Sequence, residues 1–482
     1  MLTTVIVFLP IAAALALWAL PLRSSRLTGL IALGVGLAEV GLWSTAAAGY
    51  DFDAGGLQHV VTAVWFEDLG VSYKVGMFDF SLWLIGLTVL VTLAAIGYAT
   101  WAGRERPRVY FGLLLLLLGA TIGVFAAQDL LLFYVFFEAM LIPLYVLIGV
   151  WGGRNRARAA ITFLIYTMLG SLLMLVAIVA YGLTEGTFDL TQTGISSSEW
   201  IFLGFIVAFA IKAPLWPFHG WLPAAYREAP PEIAALLSGV ISKTATYAIL
   251  RIVIPSFPEP LADFQDPILA LAAVGLVYAA LLAFRQPDFR GVLAYSSLGQ
   301  MSLIFVGLLA LNDSGLSGAN LQMINHGLVS AALFLLAGAV EYRTGTGEFR
   351  QLGGMARGRP VLATMLIVTG VIALAVPGSG VFAAEFLVLN GVFTVGWGWA
   401  VVGVVAIVLA AAYMLRAISA TLHREVGPAV HESSCDLRPA EVGVLAPLIA
   451  ALLLLSFYPA GVSDHSFKGE PAETVIVSRL EP

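Results

Sequence analysis

Apolar residues fall along this chain in long runs separated by short polar stretches, at residues 2–20, 27–48, 77–99, 109–127, 129–150, 158–183, 199–226, 232–254, 264–284, 291–311, 318–340, 360–392, 397–420 and 441–460. A helix needs about 20 apolar residues to cross the hydrocarbon of a bilayer, and each run supplies them. The pattern predicts an all-α integral membrane protein of about fourteen transmembrane helices. The first run has no basic stretch before it and no small-residue cleavage site after it, so it reads as a retained helix rather than a signal peptide.

The connections carry a second pattern. Arginines collect in every second one: Arg23 and Arg26; Arg104, Arg106 and Arg108; Arg154, Arg156 and Arg158; Arg285 and Arg290; Arg343, Arg350, Arg357 and Arg359. The intervening connections are acidic or neutral, as at Asp51, Asp53, Glu67 and Asp68, then Glu259, Asp263 and Asp266. Arginine-rich loops stay on the cytoplasmic side, so both termini are expected on the outer face.

Two runs are longer than a single span and interrupted. The seventh carries Pro214, Pro217, Gly220 and Pro223, and the twelfth Pro377, Gly378 and Gly380. Proline removes a backbone hydrogen bond and clashes with the preceding turn, so both helices are expected to break within the membrane. The breaks lie five spans apart, as in transporters built from inverted repeats with the working site at the break. The expected organisation is helices 1–3 in residues 1–108, one five-helix repeat in 109–254, a second in 264–420, and a loop, last helix and tail in 421–482.

The chemistry is in the charges inside these runs. Glu138 has no charged neighbour between Asp129 and Arg154, and Lys212, Lys243 and Glu385 are equally isolated. Each charge at a span centre costs roughly 2.5–3.5 kcal/mol, so the four together cost on the order of 10 kcal/mol unless they pair or meet water. One reading is two static ion pairs, Glu138–Lys212 and Lys243–Glu385. A buried pair is seldom better for stability than an apolar replacement, which weakens that reading. A lysine balanced between desolvation and an opposing charge can lose its proton when a neighbour moves, as a proton relay requires. His326, inside the eleventh run, can join that line because imidazole titrates near neutrality. His219, in the broken seventh run, and Ser297 and Gln300, with Tyr295 and Ser296 at the tenth helix, are candidates for proton access. Capping of the tenth helix by its serines is the competing reading.

Composition narrows the class further. Hydrophobic residues make up 60% of the chain and charged ones 11%, and the mean hydropathy is +0.94. The net charge of -6 has no block that would favour nucleic acid. Cys435 is the one cysteine, which excludes an internal disulfide and a cluster held by four thiolates. The "HESSC" stretch at 431–435 has no metal-site spacing, and no catalytic triad, phosphate loop or cofactor fingerprint is present. The expectation is a chain that moves something and holds no metal or cofactor.

Five segments, "FYVFFEAMLIPLYVLIGVWGG", "AFAIKAPLWPFHGWLPAAYREAP", "LSGVISKTATYAILR", "FRGVLAYSSLGQMS" and "FAAEFLVLNG", resemble the antiporter-like subunit M family of proton-pumping NADH:quinone oxidoreductase, or complex I. The likeness runs from about residue 75 to 460. It implies fourteen helices with two inverted five-helix repeats, and a redox-inactive subunit that moves protons while quinone is reduced elsewhere. It implies a relay of Glu138, Lys212, Lys243, His326 and Glu385. Glutamate at 385 favours subunit M, because subunits L and N and the Mrp antiporter subunits carry lysine there. The implied partners are the neighbouring subunits L and N in a bacterial inner membrane, with NADH, FMN, iron–sulfur clusters and quinone in other chains. Two positions depart from the family pattern: Gln300 stands where a histidine is common, and Ala384 where a glycine is. Gln300 keeps open a subunit of an Mrp-type cation/proton antiporter, and a related ferredoxin-linked or hydrogenase complex stays open because the electron-input module lies in other chains. A third alternative is an inert anchor for a peripheral module.

Overall fold

A computed structural model describes residues 1–192, 194–431 and 434–467. Glu432 and Ser433 of the "HESSC" stretch, and the tail from residue 468, lie outside the described residues.

Among the described residues, twelve helices are long and apolar enough to span a membrane: α1 (Leu2–Ala19), α2 (Ser25–Ala48), α3 (Asp79–Ala102), α4 (Pro107–Ala126), α5 (Leu130–Trp151), α6 (Arg156–Glu185), α8 (Pro231–Ser256), α9 (Pro258–Arg285), α10 (Phe289–Leu308), α11 (Asp313–Thr344), α13 (Trp397–Leu422) and α14 (Pro439–Phe457). The remaining two spans are broken. Helix α7 consists of Glu199–Lys212 and Leu222–Glu228, and α12 of Pro360–Ala373 and Gly380–Val395. Fourteen spans and both breaks therefore fall where the hydropathy and the prolines place them.

Three features go beyond the pattern of apolar runs. The connection between α2 and α3 folds into an antiparallel hairpin, β1 (Gln58–Phe66) and β2 (Val71–Met77), whose turn holds Gly70 at φ +66°. Helix α5 is interrupted at Met140, just after Glu138. Pro143 lacks the N–H that would bond the carbonyl of Ala139 four residues back, so the ladder opens there. Helix α8 carries two π-helical stretches, Leu237–Ile241 and Ile249–Val253, on either side of Lys243. Such bulges expose backbone carbonyls to side chains.

The breaks in α7 and α12 are closed by substitute hydrogen bonds. Pro214 cannot donate to the Ala210 carbonyl, which Leu215 N–H takes instead at 2.8 Å. The Ile211 carbonyl, left over at the end of the half-helix, accepts the Trp221 indole N–H at 2.9 Å. In α12, Gly378 turns the chain at φ +96°, a conformation open to glycine without strain. Ser379 then caps the second half by accepting from Phe382 N–H at 3.1 Å.

Helices α8 and α11 are wholly enclosed by the others, whereas α1, α2, α6, α13 and α14 keep long apolar rows on the outside. Buried charges at the arginine-rich end lock the bundle: Arg104 to Glu232 (2.5 Å), Arg290 to Glu341 (2.5 Å) and Arg343 to Glu441 (2.7 Å). The Arg343–Glu441 pair is almost sealed from solvent, with both side chains 1% exposed, and it holds α14 to α11. Removing one partner of such a pair costs roughly 3–5 kcal/mol, because the other charge stays buried alone.

Candidate functional site

The centre of the site is Lys243, fully buried between the two π stretches of α8. The π turn sends Ser242 N–H back to the Leu237 carbonyl at 3.2 Å. The Ser238 carbonyl is thereby left to the side chains of Lys243 and Ser242. Lys243 Nζ also donates to Ser242 Oγ (3.3 Å) and lies 2.6 Å from Nδ1 of His326 on α11. Ser238 Oγ donates to Ser297 Oγ of α10 at 2.9 Å and accepts from Ser330 Oγ of α11. Lysine, histidine and serines from α8, α10 and α11 thus form one hydrogen-bonded group.

Glu385 sits in the second half of α12, buried, and its Oε1 accepts from Gln300 Nε2 of α10 at 3.0 Å. Gln322 Nε2 of α11 donates to Gln300 Oε1 at 2.6 Å. Gln322 lies one helical turn before His326, and Ser330 one turn after it. The face of α11 at positions 322, 326 and 330 therefore runs alongside the whole group. A cavity of about 30 Å³ opens between Ser297, Gln300, Gln322, His326 and Ser330. Another of about 20 Å³ lies on the far side of Gln300, against Tyr413. Each is large enough for a water molecule, and the first is edged by polar side chains. Tyr413 itself donates to Ser296 Oγ at 2.9 Å.

The other end of the sequence-derived line is built differently. Lys212 is the last residue of the first half of α7, buried, with its Nζ 4.7 Å above the Phe137 ring. Carbonyls at a helix C-terminus carry partial negative charge, so the break itself favours a cation there. Glu138, half-buried on α5 beside that ring, is near enough for its charge to act on Lys212. No direct ion pair joins them among the described residues, and Lys243 and Glu385 form none either. Both static pairings weighed from the sequence are absent as contacts. Lysine meets histidine, and glutamate meets glutamine.

His219 lies in the α7 break, half-buried, with Nε2 3.3 Å from the Tyr278 hydroxyl of α9. It does not join the Lys243 group. Ser297 joins it through Ser238, while Gln300 faces it across the small cavity, and neither caps α10, because Asp288 performs that role by accepting from Gly291 N–H at 2.7 Å. Gln322, Ser238, Ser330 and Tyr413 were not singled out by the sequence. For Gln322 and Ser330 the signal was present in their spacing of four residues either side of His326. Ser238 gave none, since a π turn is not legible in hydropathy. Among the described residues no group of three or more His, Cys, Asp or Glu is arranged to hold a metal ion.

A bundle of fourteen spans with two broken helices and a buried line of titratable and amide side chains defines a multi-pass membrane protein of the antiporter-like class. Residues 127–410 match the family model described as NADH:quinone oxidoreductase/Mrp antiporter, transmembrane, and the chain belongs to that family. Within it the chain stands with subunit M. It is 35% identical over 486 residues to NADH-quinone oxidoreductase subunit M of Rhodobacter capsulatus, covering 96% of this chain and 94% of the relative. It is 36% identical over 509 residues to subunit M of Mycobacterium tuberculosis, covering 96% and 92%. In structure it is similar to a chain of respiratory complex I from Thermus thermophilus, with a TM-score of 0.88, 33% identity and all of both chains covered. A chain of the Mrp complex from Dietzia shares the fold, also at 0.88 over all of both chains, with 24% identity.

Proposed function

We propose that this chain is a redox-inactive subunit of a proton-pumping NADH:quinone oxidoreductase and carries protons along Glu138, Lys212, Lys243, His326 and Glu385. The observation that supports it most is the contact of Lys243 with His326, facing the Gln322–Gln300–Glu385 chain across one small cavity. An inert anchor would gain nothing from burying Lys243 against His326 and Glu385 against Gln300 and Gln322, since apolar residues would pack there at no cost. The names of the relatives at 35% identity or more support the oxidoreductase over the Mrp-type, ferredoxin-linked or hydrogenase alternatives.

In this reading the energy comes from quinone reduction in other chains, where NADH, FMN and iron–sulfur clusters reside. Neighbouring antiporter-like subunits L and N flank the chain in a bacterial inner membrane. The arginine distribution supports both termini on the outer side. The two breaks, five spans apart, support repeats in 109–254 and 264–420 as the two halves of the path, with His219, Ser297 and Gln300 as access points.

Lys243→Met, made in the whole complex, tests the proposal. NADH-driven acidification of inverted membrane vesicles should be lost while the complex assembles in normal amount. Full acidification at the normal NADH oxidation rate would overturn it.

A further inference from the structure

A groove of about 970 Å³ runs along α3 between α2 and α14, away from the buried line. Its walls are apolar, built from Leu30, Leu33 and Leu37 of α2, Leu90 and Leu93 of α3, and Val444 of α14. One end differs in chemistry: Ser25, Arg26, Thr100 and Trp101 lie there. Arg26 is exposed and has no ion-pair partner among the described residues. From Ser25 to Leu37 the α2 wall rises about 18 Å at ~1.5 Å per residue. That is close to one leaflet of a hydrocarbon core about 30 Å thick. Glycine keeps the slot open from both sides. A Cβ built on Gly34 of α2 or on Gly443 of α14 would meet no atom within 4 Å.

We propose that this groove is a binding site for one anionic phospholipid, with an acyl chain against the leucines and the headgroup on Arg26. The charge decides the occupant. An apolar slot of leaflet depth accepts any acyl chain, but an unpaired arginine at headgroup level, beside an interfacial tryptophan, selects a lipid phosphate that carries net negative charge. A transmembrane helix of a partner would cover the leucines and leave Arg26 without a counter-charge.

The test uses the whole complex in vesicles containing a photoactivatable phosphatidylglycerol or the matching phosphatidylcholine, with the diazirine in the acyl chain. Phosphatidylglycerol is expected to label α2 and α14 peptides roughly tenfold more than phosphatidylcholine, equivalent to about 1.4 kcal/mol. Arg26→Gln should erase that preference and keep some labelling by both lipids. Gly34→Leu with Gly443→Leu should fill the slot and abolish labelling, with assembly unchanged. Equal labelling of the native complex by the two lipids would overturn the proposal, as would a cross-link from this groove to a neighbouring subunit in place of lipid.

Discussion

Lys243 Nζ lies 2.6 Å from His326 Nδ1, so two side chains that are each cationic when protonated share one contact inside the bundle. Nδ1 accepts from Nζ only while that nitrogen carries no proton. The contact therefore holds its proton on one partner at a time, and the loss of charge from one is coupled to the state of the other.

His326→Ala should leave Lys243 with only serine oxygens and reduce proton pumping roughly tenfold, in keeping with ~1–3 kcal/mol for a lost buried partner. His326→Gln, which restores an acceptor without a titratable ring, should recover assembly and stability but not pumping. Dye-quench measurements on vesicles matched for complex content separate the two. Recovery of pumping by glutamine would show that the imidazole proton is not used.

Lys212 lies over the Phe137 ring at the open end of α7, and among the described residues no ion pair joins it to Glu138. Either Glu138→Ala or Lys212→Ala should sharply reduce pumping and coupled NADH oxidation in an assembled complex. Replacing the two together by Gln and Met should be no less damaging. Unchanged activity in the double variant would identify them as structural.

Gln300 joins Glu385 to Gln322, and Gln300→Leu should break both contacts and cut pumping about tenfold, given ~1–3 kcal/mol for each buried group left unsatisfied. Gln300→His should preserve a bond to Glu385 and retain most of the activity. The pumping ratio of the two variants is the readout, and equal pumping would remove Gln300 from the path.

At the hairpin, Lys74 Nζ donates to Asp189 at 2.7 Å and Thr191 N–H and hydroxyl add their bonds. Burial raises the Asp189 pKa, but Lys74 and Thr191 outweigh it and hold the carboxyl below its ordinary value. A depressed pKa stabilises the fold above the unfolded value near 4, and the gain disappears as pH falls through the folded value. Asp189→Asn should therefore speed amide exchange in β1 and β2 at pH 7. The difference from the native protein should begin to shrink as the pH falls below about 4 and vanish only below the folded value. A difference that persisted there would place the effect in packing rather than charge.

The fourteen spans and both breaks were legible in the chain because hydropathy and proline act locally. Glu138, Lys212, Lys243, His326 and Glu385 were legible because lipid makes isolated charges conspicuous. What pairs with what was not legible. The ion pairs expected from charge alone give way to Lys243–His326 and Glu385–Gln300, because the π turn in α8 and the second half of α12 fix which side chains can reach. The hairpin of residues 58–77 escaped because β1 is largely exposed and neither strand follows a clear alternation.

Gln300 also decides what kind of connection lies between Glu385 and the face of α11 that carries His326. Its amide donates to Glu385 and accepts from Gln322, and an amide neither gains nor loses a proton in this range. It acts as an insulator with a polarity. Under the proposed relay, a change of charge at Glu385 would be felt at Gln322 as a reoriented dipole, while a proton would have to pass through the water-sized spaces beside Gln300. Signal and cargo would then travel by separate routes across the same few ångströms.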